Sequence, residues 1–260
     1  MNILFIGDIV GSPGREAVKK LLPELQKEYG LEFVVANAEN SSGGSGITLK
    51  VAEELFPLGI GVFTSGDHIW KKREIFDIIN QEARILRPLN FPDVAPGQGW
   101  GLFTARNGVK VGVISVCGRV FMEALECPFK TTLVAVEELS SQAKIIIVDI
   151  HAEATSEKVA LGWYLDGKVS AVLGTHTHIQ TADEKILPQG TAYITDAGMT
   201  GPYDSVIGRR KEDVLQRFLS CVPVRFEVAK DDVQLHGVVV DIDPASGKAK
   251  SIVRIQRKLP

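Results

Sequence analysis

Apolar residues along the chain are grouped into short runs, separated by longer segments with helical spacing. Six of these runs are rich in β-branched residues and end abruptly in Gly or a polar residue, as buried strands do: NILFIGD, EFVVANAEN, GVFTSGDH, KIIIVDIHAE, VSAVLGTHTH and TAYITDAG. Helical patterns lie between them, in REAVKKLLPELQKEYG, LKVAEELFPLG, KREIFDIINQ, TLVAVEELSSQA and SEKVALGWYLDG. This alternation predicts an α/β fold in which helices cover a sheet.

Two stretches have the pattern of antiparallel strands instead. In WGLFTARNGVKVGVISV, Asn107 and Gly108 separate two alternating segments, which predicts a tight hairpin. The C-terminal stretch PVRFEVAKDDVQLHGVVVDIDPASGKAKSIVRIQ alternates with turn residues and predicts an antiparallel meander. We therefore expect a mixed sheet with a second layer of antiparallel strands. No repeat, low-complexity segment or linker indicates a domain boundary, so residues 1–260 are expected to form one domain.

Composition excludes several classes of protein. The formal net charge of −3 gives no basic footprint for a stable nucleic-acid complex. No long uncharged apolar stretch is present, and Asp8 interrupts the opening MNILFIGD, so we expect a cytoplasmic protein with no membrane partner. The three cysteines are widely separated and none lies in a CxxC motif, which predicts reduced core thiols at Cys117, Cys127 and Cys221.

Polar side chains follow the carboxyl ends of five predicted strands, where open α/β sheets bind their ligands. In chain order they are Asp8, Glu39, Asn40, Asp67, His68, His151, His176 and His178. Each residue alone has an ordinary structural interpretation as a turn former or a hydrogen-bonded polar group. Together they place four of the five histidines and three carboxylates at one edge of the predicted sheet. This shared position predicts a functional site.

Imidazole and carboxylate ligands suit Zn, Mn or Fe rather than Ca or Mg. The ligands are too many for one tetrahedral ion, but they suit two metal ions about 3.5–4 Å apart that share a bridging carboxylate. Such a pair can hold the attacking and leaving oxygens of a phosphoryl transfer. Acyl or amide hydrolysis by the same groups stays open at this stage.

Six segments, in this order, resemble the bacterial YmdB-like branch of the calcineurin-like metallophosphoesterases: GDIVGSPGR, NAEN, SGDHIW, HAEATSEK, GTHTHIQTAD and TDAGMTGP. The resemblance covers essentially the whole chain. It implies one domain over residues 1–260 with a four-layer α/β/β/α metallophosphoesterase sandwich and mixed sheets. It also implies a dinuclear centre with two divalent or trivalent ions (Fe, Mn or Zn), and hydrolysis of phosphodiesters, above all 2′,3′-cyclic nucleotides, by a hydroxide that bridges the ions.

The resemblance also assigns roles to the residues that match its motifs. One ion would be surrounded by Asp8, Glu39, Asn40 and His178, and Glu39 would bridge to a second ion held by Asp67, His151 and His176. His68 would be the general acid. The family has Asn where this chain has Asp67. An ionised Asp67 brings the charge of the site with its bridging hydroxide close to zero, so we expect it to disfavour dianionic phosphate monoesters relative to monoanionic diesters.

Several other residues have competing interpretations. NSSGGSGIT lacks the Lys of a phosphate-binding P-loop, so we interpret it as a flexible loop that is able to close over substrate. Glu153 is a candidate for orienting His151 or for capping the helix near Ser156. Three basic residues (Arg15, Arg119 and Lys158) are expected in ion pairs rather than on phosphate. Trp70 is expected to pack in the core rather than stack a base, and Asp183, Asp196 and His236 are interpreted as turn, capping or structural residues.

Two alternatives to a phosphodiesterase remain from the sequence. A regulatory protein that binds a nucleotide or partner on a metal-bearing scaffold would keep the same ligands with little turnover, and a hydrolase of a non-phosphate substrate would share the metal chemistry. The complete ligand set favours a metal-dependent phosphodiesterase with a small-molecule phosphodiester substrate. One chain leaves the oligomeric state open, and a homo-oligomer is compatible with it.

Overall fold

A computed structural model describes residues 1–260 and divides the strands between two sheets. The strands are β1 Asn2–Ile6, β2 Asp8–Ile9, β3 Leu31–Asn37, β4 Val62–Thr64, β5 Trp100–Thr104, β6 Lys110–Cys117, β7 Ile145–His151, β8 Ala171–Thr175, β9 Lys185–Ile186, β10 Ala192–Ile194, β11 Met199–Pro202, β12 Val233–Ile242 and β13 Ala249–Lys258. The α-helices are α1 Gly11–Glu28, α2 Leu49–Leu55, α3 Ile75–Ile78, α4 Pro128–Ser140, α5 Thr155–Leu165 and α6 Lys211–Ser220. None of the helices has the length and hydropathy needed to cross a membrane.

Both sheets are mixed, as the sequence predicts. The first has the order β2-β11-β12-β1-β3-β4, with β13 paired to β12. Within it β1, β3 and β4 are parallel, whereas β12 is antiparallel to both β1 and β13. The second has the order β5-β6-β7-β8-β10-β9, in which β6, β7, β8 and β10 are parallel. The two edge strands β5 and β9 run antiparallel to their neighbours.

The alternation of side chains along each strand creates four layers. In β1, Ile3 and Phe5 belong to the core between the two sheets, whereas Leu4 and Ile6 pack with the apolar faces of α1 and α2. In β6, Val113 faces the other sheet in the same way, and the residues beside it pack against α4 and α5. The predicted α/β/β/α sandwich is therefore confirmed.

The predicted hairpin is confirmed, because β5 and β6 pair antiparallel from Thr104 and Lys110 outward, with Gly108 in the turn at φ +84°. The C-terminal meander is wrong in extent and in place. Residues 223–232 are outside the strands, and the hairpin of β12 and β13 joins the first sheet beside β1 rather than forming a separate layer. The apolar residues of β12 are buried in the cores on both sides of the sheet, which explains why this strand lies inside it.

Three further features differ from the expectations. Helix α6 was not predicted, although Leu215, Phe218 and Leu219 have helical spacing; in the structure these apolar side chains are exposed and face no core. The expectation of core thiols holds for Cys117, but Cys127 is half-buried and Cys221 is exposed. The site residues also do not share one sheet, since the chain crosses to the second sheet after β4.

Candidate metal centre

The predicted site residues meet where the carboxyl ends of strands from both sheets come together. The first sheet supplies Asp8 at β2, Glu39 and Asn40 after β3, and Asp67 and His68 after β4. The second sheet supplies His151 at the last position of β7, and His176 and His178 directly after β8. All eight are linked by the contacts described below, although the expectation that they lie along the edge of a single sheet is wrong.

Four of these residues converge on one point. His151 Nε2 lies 2.9 Å from His176 Nδ1, 3.2 Å from Glu39 Oε1 and 3.3 Å from Asp67 Oδ1. One ligand atom from each of the four lies within 4.8 Å of every other. This spacing suits coordination of a single cation.

The hydrogen bonds behind His151 orient its ring. Asp149 Oδ1 accepts a hydrogen bond of 2.7 Å from the Thr175 hydroxyl, so the Thr175 oxygen accepts from His151 Nδ1, 2.9 Å away. His151 Nε2 then faces the carboxylates of Glu39 and Asp67. Burial would lower the pKa of His151, but the charge of Glu39 and hydrogen bonds to Asp67 and Glu39 hold it well above its usual range. A cation bound at this point would take the place of the Nε2 proton.

A second group of ligand candidates lies beside the first and shares Glu39 with it. His178 Nε2 lies 3.7 Å from Asp8 Oδ1 and 3.2 Å from Asn40 Nδ2, and Asn40 Nδ2 donates to Glu39 Oε1 at 3.0 Å. His178 Nδ1 donates to the Ile207 carbonyl at 2.9 Å, which leaves its Nε2 lone pair toward Asp8. Asn40 faces Glu39 and His178 with its amide nitrogen, whereas its Oδ1 lies 2.8 Å from His68 Nδ1.

Two buried oxygens in the cluster lack any hydrogen-bond partner: Asp8 Oδ1 in the second group and Asp67 Oδ1 in the first. Buried carboxylate oxygens without partners are costly. A bound cation beside each would satisfy them. The donor set of carboxylates and imidazoles and these two oxygens therefore fit metal binding.

The same contacts shift the pKa values of the site. Burial raises the pKa of the Asp8 carboxyl and would raise that of Glu39, but attraction and hydrogen bonding to His151 and His68 hold the pKa of Glu39 well below its usual range. Burial and the neighbouring His151 lower the pKa of His176 to about 4. His176 is therefore neutral at pH 7 and offers a lone pair, as a ligand must.

His68 differs from the other three histidines of the site because its side chain is about one-third exposed to the cavity. Its Nδ1 lies 2.8 Å from Asn40 Oδ1, and its backbone N–H donates to Glu39 Oε2 at 3.2 Å. The side-chain contact of the same Nδ1 with Glu39 Oε1, 3.4 Å away, raises the pKa of the imidazole. Contacts at Nδ1 thus orient the ring from one side. Its Nε2 lies on the other side, 3.8 Å from Asp67 Oδ2 and away from the buried ligand atoms.

The turn that carries the histidine pair has a strained backbone, with φ +101° at His176 and +66° at His178. Asp196 secures the residue between them, since its Oδ2 accepts from the Thr177 N–H at 3.0 Å and the Thr177 hydroxyl at 2.7 Å. The Asp196 carboxylate is itself paired with Lys158. Asp196 was interpreted as a turn or capping residue, and this anchoring role was missed because its partners are distant in sequence.

The structure shows the contacts of the other residues for which the sequence left competing interpretations. Glu153 neither orients His151 nor caps helix α5, because Thr175 does the former and Glu153 Oε2 lies 3.2 Å from His176 Nε2 instead. Arg15 is confirmed in an ion pair, with Glu54 at 3.0 Å. Trp70 is confirmed as a packing residue against Phe76 and Phe91, and His236 is held by Tyr203 and Gln234 away from the site.

A cavity of about 710 Å³ opens over the cluster. Its floor is formed by residues of the site: Glu39, Asn40, His68, Glu153, His176, Thr177 and His178. The opposite side, called here the α6 wall, comes from helix α6 and its flanks: Val206, Ile207, Arg209, Val214, Arg217, Phe218 and Phe226. The cavity is large enough for a nucleotide-sized ligand. The α6 wall was not predicted, and the helical spacing of Val214, Phe218 and their apolar neighbours is the signal in the sequence that could have found it.

A family model described as YmdB-like protein matches residues 4–255. The chain belongs to the YmdB-like family. A relative from Bacillus subtilis (strain 168), described as a 2′,3′-cyclic-nucleotide 2′-phosphodiesterase, is 49% identical over 255 residues, which cover 98% of this chain and 96% of the relative. A putative phosphatase/phosphodiesterase from Mycoplasma genitalium is 35% identical over 266 residues, with 99% and 92% coverage.

Solved structures give the same picture of this YmdB-like chain. A hypothetical protein from Thermus thermophilus has a TM-score of 0.94 at 38% identity, with both chains covered completely. A structure described as a novel phosphatase from Mycoplasma pneumoniae has a TM-score of 0.92 at 34% identity, covering 99% of this chain and 93% of the other. The resemblance noted in the sequence motifs is thereby confirmed.

Proposed function

We propose that this chain is a metal-dependent phosphodiesterase whose substrates are 2′,3′-cyclic nucleotides. The observation that carries the proposal is the convergence of Glu39, Asp67, His151 and His176, each of which places one ligand atom within 4.8 Å of the others. The relative from Bacillus subtilis supplies the substrate, since its name specifies attack on the 2′ ester of a cyclic nucleotide. Residues 1–260 would act as one domain of the metallophosphoesterase type.

The proposed centre is dinuclear. One ion would be held by Asp67, His151 and His176, the other by Asp8, Asn40 and His178, with Glu39 common to both. Fe, Mn and Zn are the ions that this mixture of imidazoles and carboxylates favours. When bound, such ions supply Lewis-acid polarisation of the phosphoryl group and a nucleophile at neutral pH.

His68 is proposed as the general acid that protonates the leaving alkoxide, because an alkoxide leaves poorly without a proton. Its ring lines the cavity, and Asn40 holds its Nδ1 at 2.8 Å, so Nε2 is the atom that can deliver a proton to a substrate. Asn40 and Glu39 thus orient His68 while also belonging to the ligand set. The product of ring opening at the 2′ ester would be a nucleoside 3′-phosphate.

Metal analysis of the purified protein and a substrate panel together test the proposal. The panel contains 2′,3′-cyclic, 3′,5′-cyclic and linear diesters, with aryl monoesters as controls. We expect about two equivalents of metal and turnover of the 2′,3′-cyclic diesters that is abolished by a chelator. Two equivalents of metal without turnover of any diester would instead support the binding protein with little turnover.

The role of His68 has its own test. A His68→Ala variant should retain the metal content of the wild type and lose about 10²–10⁴-fold in turnover of alkyl diesters. The loss should be smaller for a 4-nitrophenyl diester, because nitrophenolate leaves without protonation. Full turnover of alkyl diesters by the metal-loaded variant would remove His68 from this role.

A further inference from the structure

The α6 wall contains a guanidinium that no ion pair neutralises. Arg209 donates through Nη2 to the Gly44 carbonyl, and its Nε and Nη1 have no protein partner. Burial lowers its pKa, and no neighbouring carboxylate opposes that effect. Its remaining donors are therefore free to bind an anion in the cavity that it lines.

Arg209 is held in a fixed relation to the metal centre. Val206 and Arg209 exchange backbone hydrogen bonds of 2.9 and 3.0 Å across a tight turn. The carbonyl of Ile207, inside that turn, accepts from His178 Nδ1 at 2.9 Å. His178 is thus hydrogen-bonded to the same short turn that contains Arg209.

The Gly/Ser-rich loop over residues 40–48, interpreted from the sequence as a flexible loop able to close over substrate, supports this arginine. Gly44 has φ +84°, and a Cβ at this position would lie 2.5 Å from Arg209 Nη1. The absence of a side chain lets the guanidinium reach the Gly44 carbonyl. The loop therefore positions Arg209.

The α6 wall also presents aromatic faces to the same cavity. Phe218 is 73% exposed and Phe226 is 40% exposed, although both line a cavity that contains the catalytic cluster. Large apolar side chains that stay exposed beside a polar site are typical of a ligand-binding surface. Nucleobases stack on aromatic side chains such as these, and the stacking depends little on which base is present.

We propose that the α6 wall is the substrate-recognition surface of the site, in which Arg209 binds the phosphoryl group and Phe218 and Phe226 hold the base. This inference rests on the proposed phosphodiesterase function and extends it to substrate selection. The substrate that fits this surface is a nucleoside 2′,3′-cyclic phosphate, because the cavity places an unneutralised cation and an aromatic surface beside one metal centre.

Two substrates separate the two contributions: a 2′,3′-cyclic nucleotide and methyl riboside 2,3-cyclic phosphate, which has the same reactive ring without a base. In the manganese-loaded enzyme, Phe218→Ala and Phe226→Ala should each raise the KM of the nucleotide about 5-fold or more with little change in kcat. Neither should change the KM of the riboside. Arg209→Met should lower kcat/KM about 10-fold or more for both substrates.

Matched controls lie next to the tested residues. Leu219→Ala removes a side chain that is 86% exposed on α6 and does not line the cavity. Arg210→Met removes the neighbouring arginine, which is paired with Glu227 outside the cavity. Both controls should have wild-type constants for both substrates, and thermal unfolding of every variant establishes that the fold is retained.

The outcomes distinguish the inference from the proposed function. Equal effects of the Phe variants on nucleotide and riboside, or wild-type kinetics in Arg209→Met, would overturn the recognition surface while the phosphodiesterase stands. A wild-type enzyme that hydrolyses no diester would overturn the proposed function, and the inference with it. Product inhibition adds a second readout, since the Phe variants should raise the Ki of a nucleoside 3′-phosphate but not that of inorganic phosphate.

Discussion

Lys158 Nζ lies 2.8 Å from Asp196 Oδ2, and both side chains are completely buried. The pair joins helix α5 to the segment after β10, and through Thr177 it reaches the turn between His176 and His178. A buried charge is tolerated only when it is paired and hydrogen-bonded. Asp196 meets that condition with four hydrogen bonds, from Lys158, Thr177 (two) and Gly198.

Breaking this pair is expected to destabilise the whole protein. Lys158→Met should lower the free energy of unfolding by about 3–5 kcal/mol, because it leaves the Asp196 carboxylate buried without its cation. Denaturant titration of the metal-free protein measures the loss. The double variant Lys158→Met/Asp196→Asn should lose less than the sum of the two single variants.

The exposed ion pair of Lys211 and Asp204 is the matched control. Lys211→Met removes the same charge at the surface and should leave the unfolding midpoint where it is, since exposed pairs are screened by water. Equal midpoints for Lys158→Met and Lys211→Met would show that burial of the first pair has no energetic consequence.

The sequence predicted the strands that precede the candidate metal ligands, because each of those strands is buried on both faces and therefore has a continuous run of apolar residues. Position along the chain then placed Asp8, Glu39, His151 and His178 correctly at strand ends. What the pattern could not show was the pairing of distant residues. Thr175 with His151, and Asp196 with Thr177, are ordinary polar residues until the sheets are assembled.

The division into two sheets and the α6 wall were missed for different reasons. Apolar runs identify buried strands but do not say which sheet each strand joins, since both sheets here are covered on both faces. Helix α6 has helical apolar spacing at Leu215, Phe218 and Leu219, but the spacing does not show that this face stays exposed and lies beside a cavity. Its exposed Phe218 becomes interpretable only once the cavity is known.

Thr175 is expected to control metal affinity through His151. Its hydroxyl links His151 Nδ1 to the Asp149 carboxylate, whose pKa burial raises to about 6. Thr175→Val removes that link at nearly constant volume, so metal affinity should fall about 10–100-fold. Competition with a chromophoric chelator measures the change without any assay of activity.

Thr104→Val, at the exposed end of β5, is the control for the same chemical change. It should bind metal as the wild type does. If Thr175→Val also retained wild-type affinity, the hydrogen bond to His151 Nδ1 would have no part in preparing the ligand.

Asp67 is expected to set the preference between monoesters and diesters. Its carboxylate adds a negative charge to a site that already contains Asp8 and Glu39, so it repels a dianionic monoester more than a monoanionic diester. Asp67→Asn should raise the ratio of kcat/KM for monoester over diester about 4-fold or more, the effect of one unit charge about 5 Å away at the dielectric constant of water. An unchanged ratio in fully metal-loaded enzyme would contradict this.

Acid should destabilise the fold in part through His236, which is distant from the metal centre. Burial lowers the pKa of His236 to about 4, with its ring 2.6 Å from Tyr203 Oη and 3.0 Å from Gln234 Oε1. The unfolded chain takes up a proton near pH 6.5, whereas the folded protein takes it up only near pH 4. Between these values the unfolded state binds more protons, so stability falls as pH falls.

A His236→Gln variant isolates this contribution, because the carboxylates and the other histidines titrate alike in both proteins. The difference in unfolding free energy between wild type and variant should be constant above about pH 7 and shift between about pH 6.5 and pH 4 by up to about 1.4 kcal/mol per pH unit in favour of the variant. Denaturant titrations of the metal-free proteins at half-unit steps of pH measure it. A pH-independent difference across this window would mean that His236 is protonated as readily in the folded protein as in the unfolded chain.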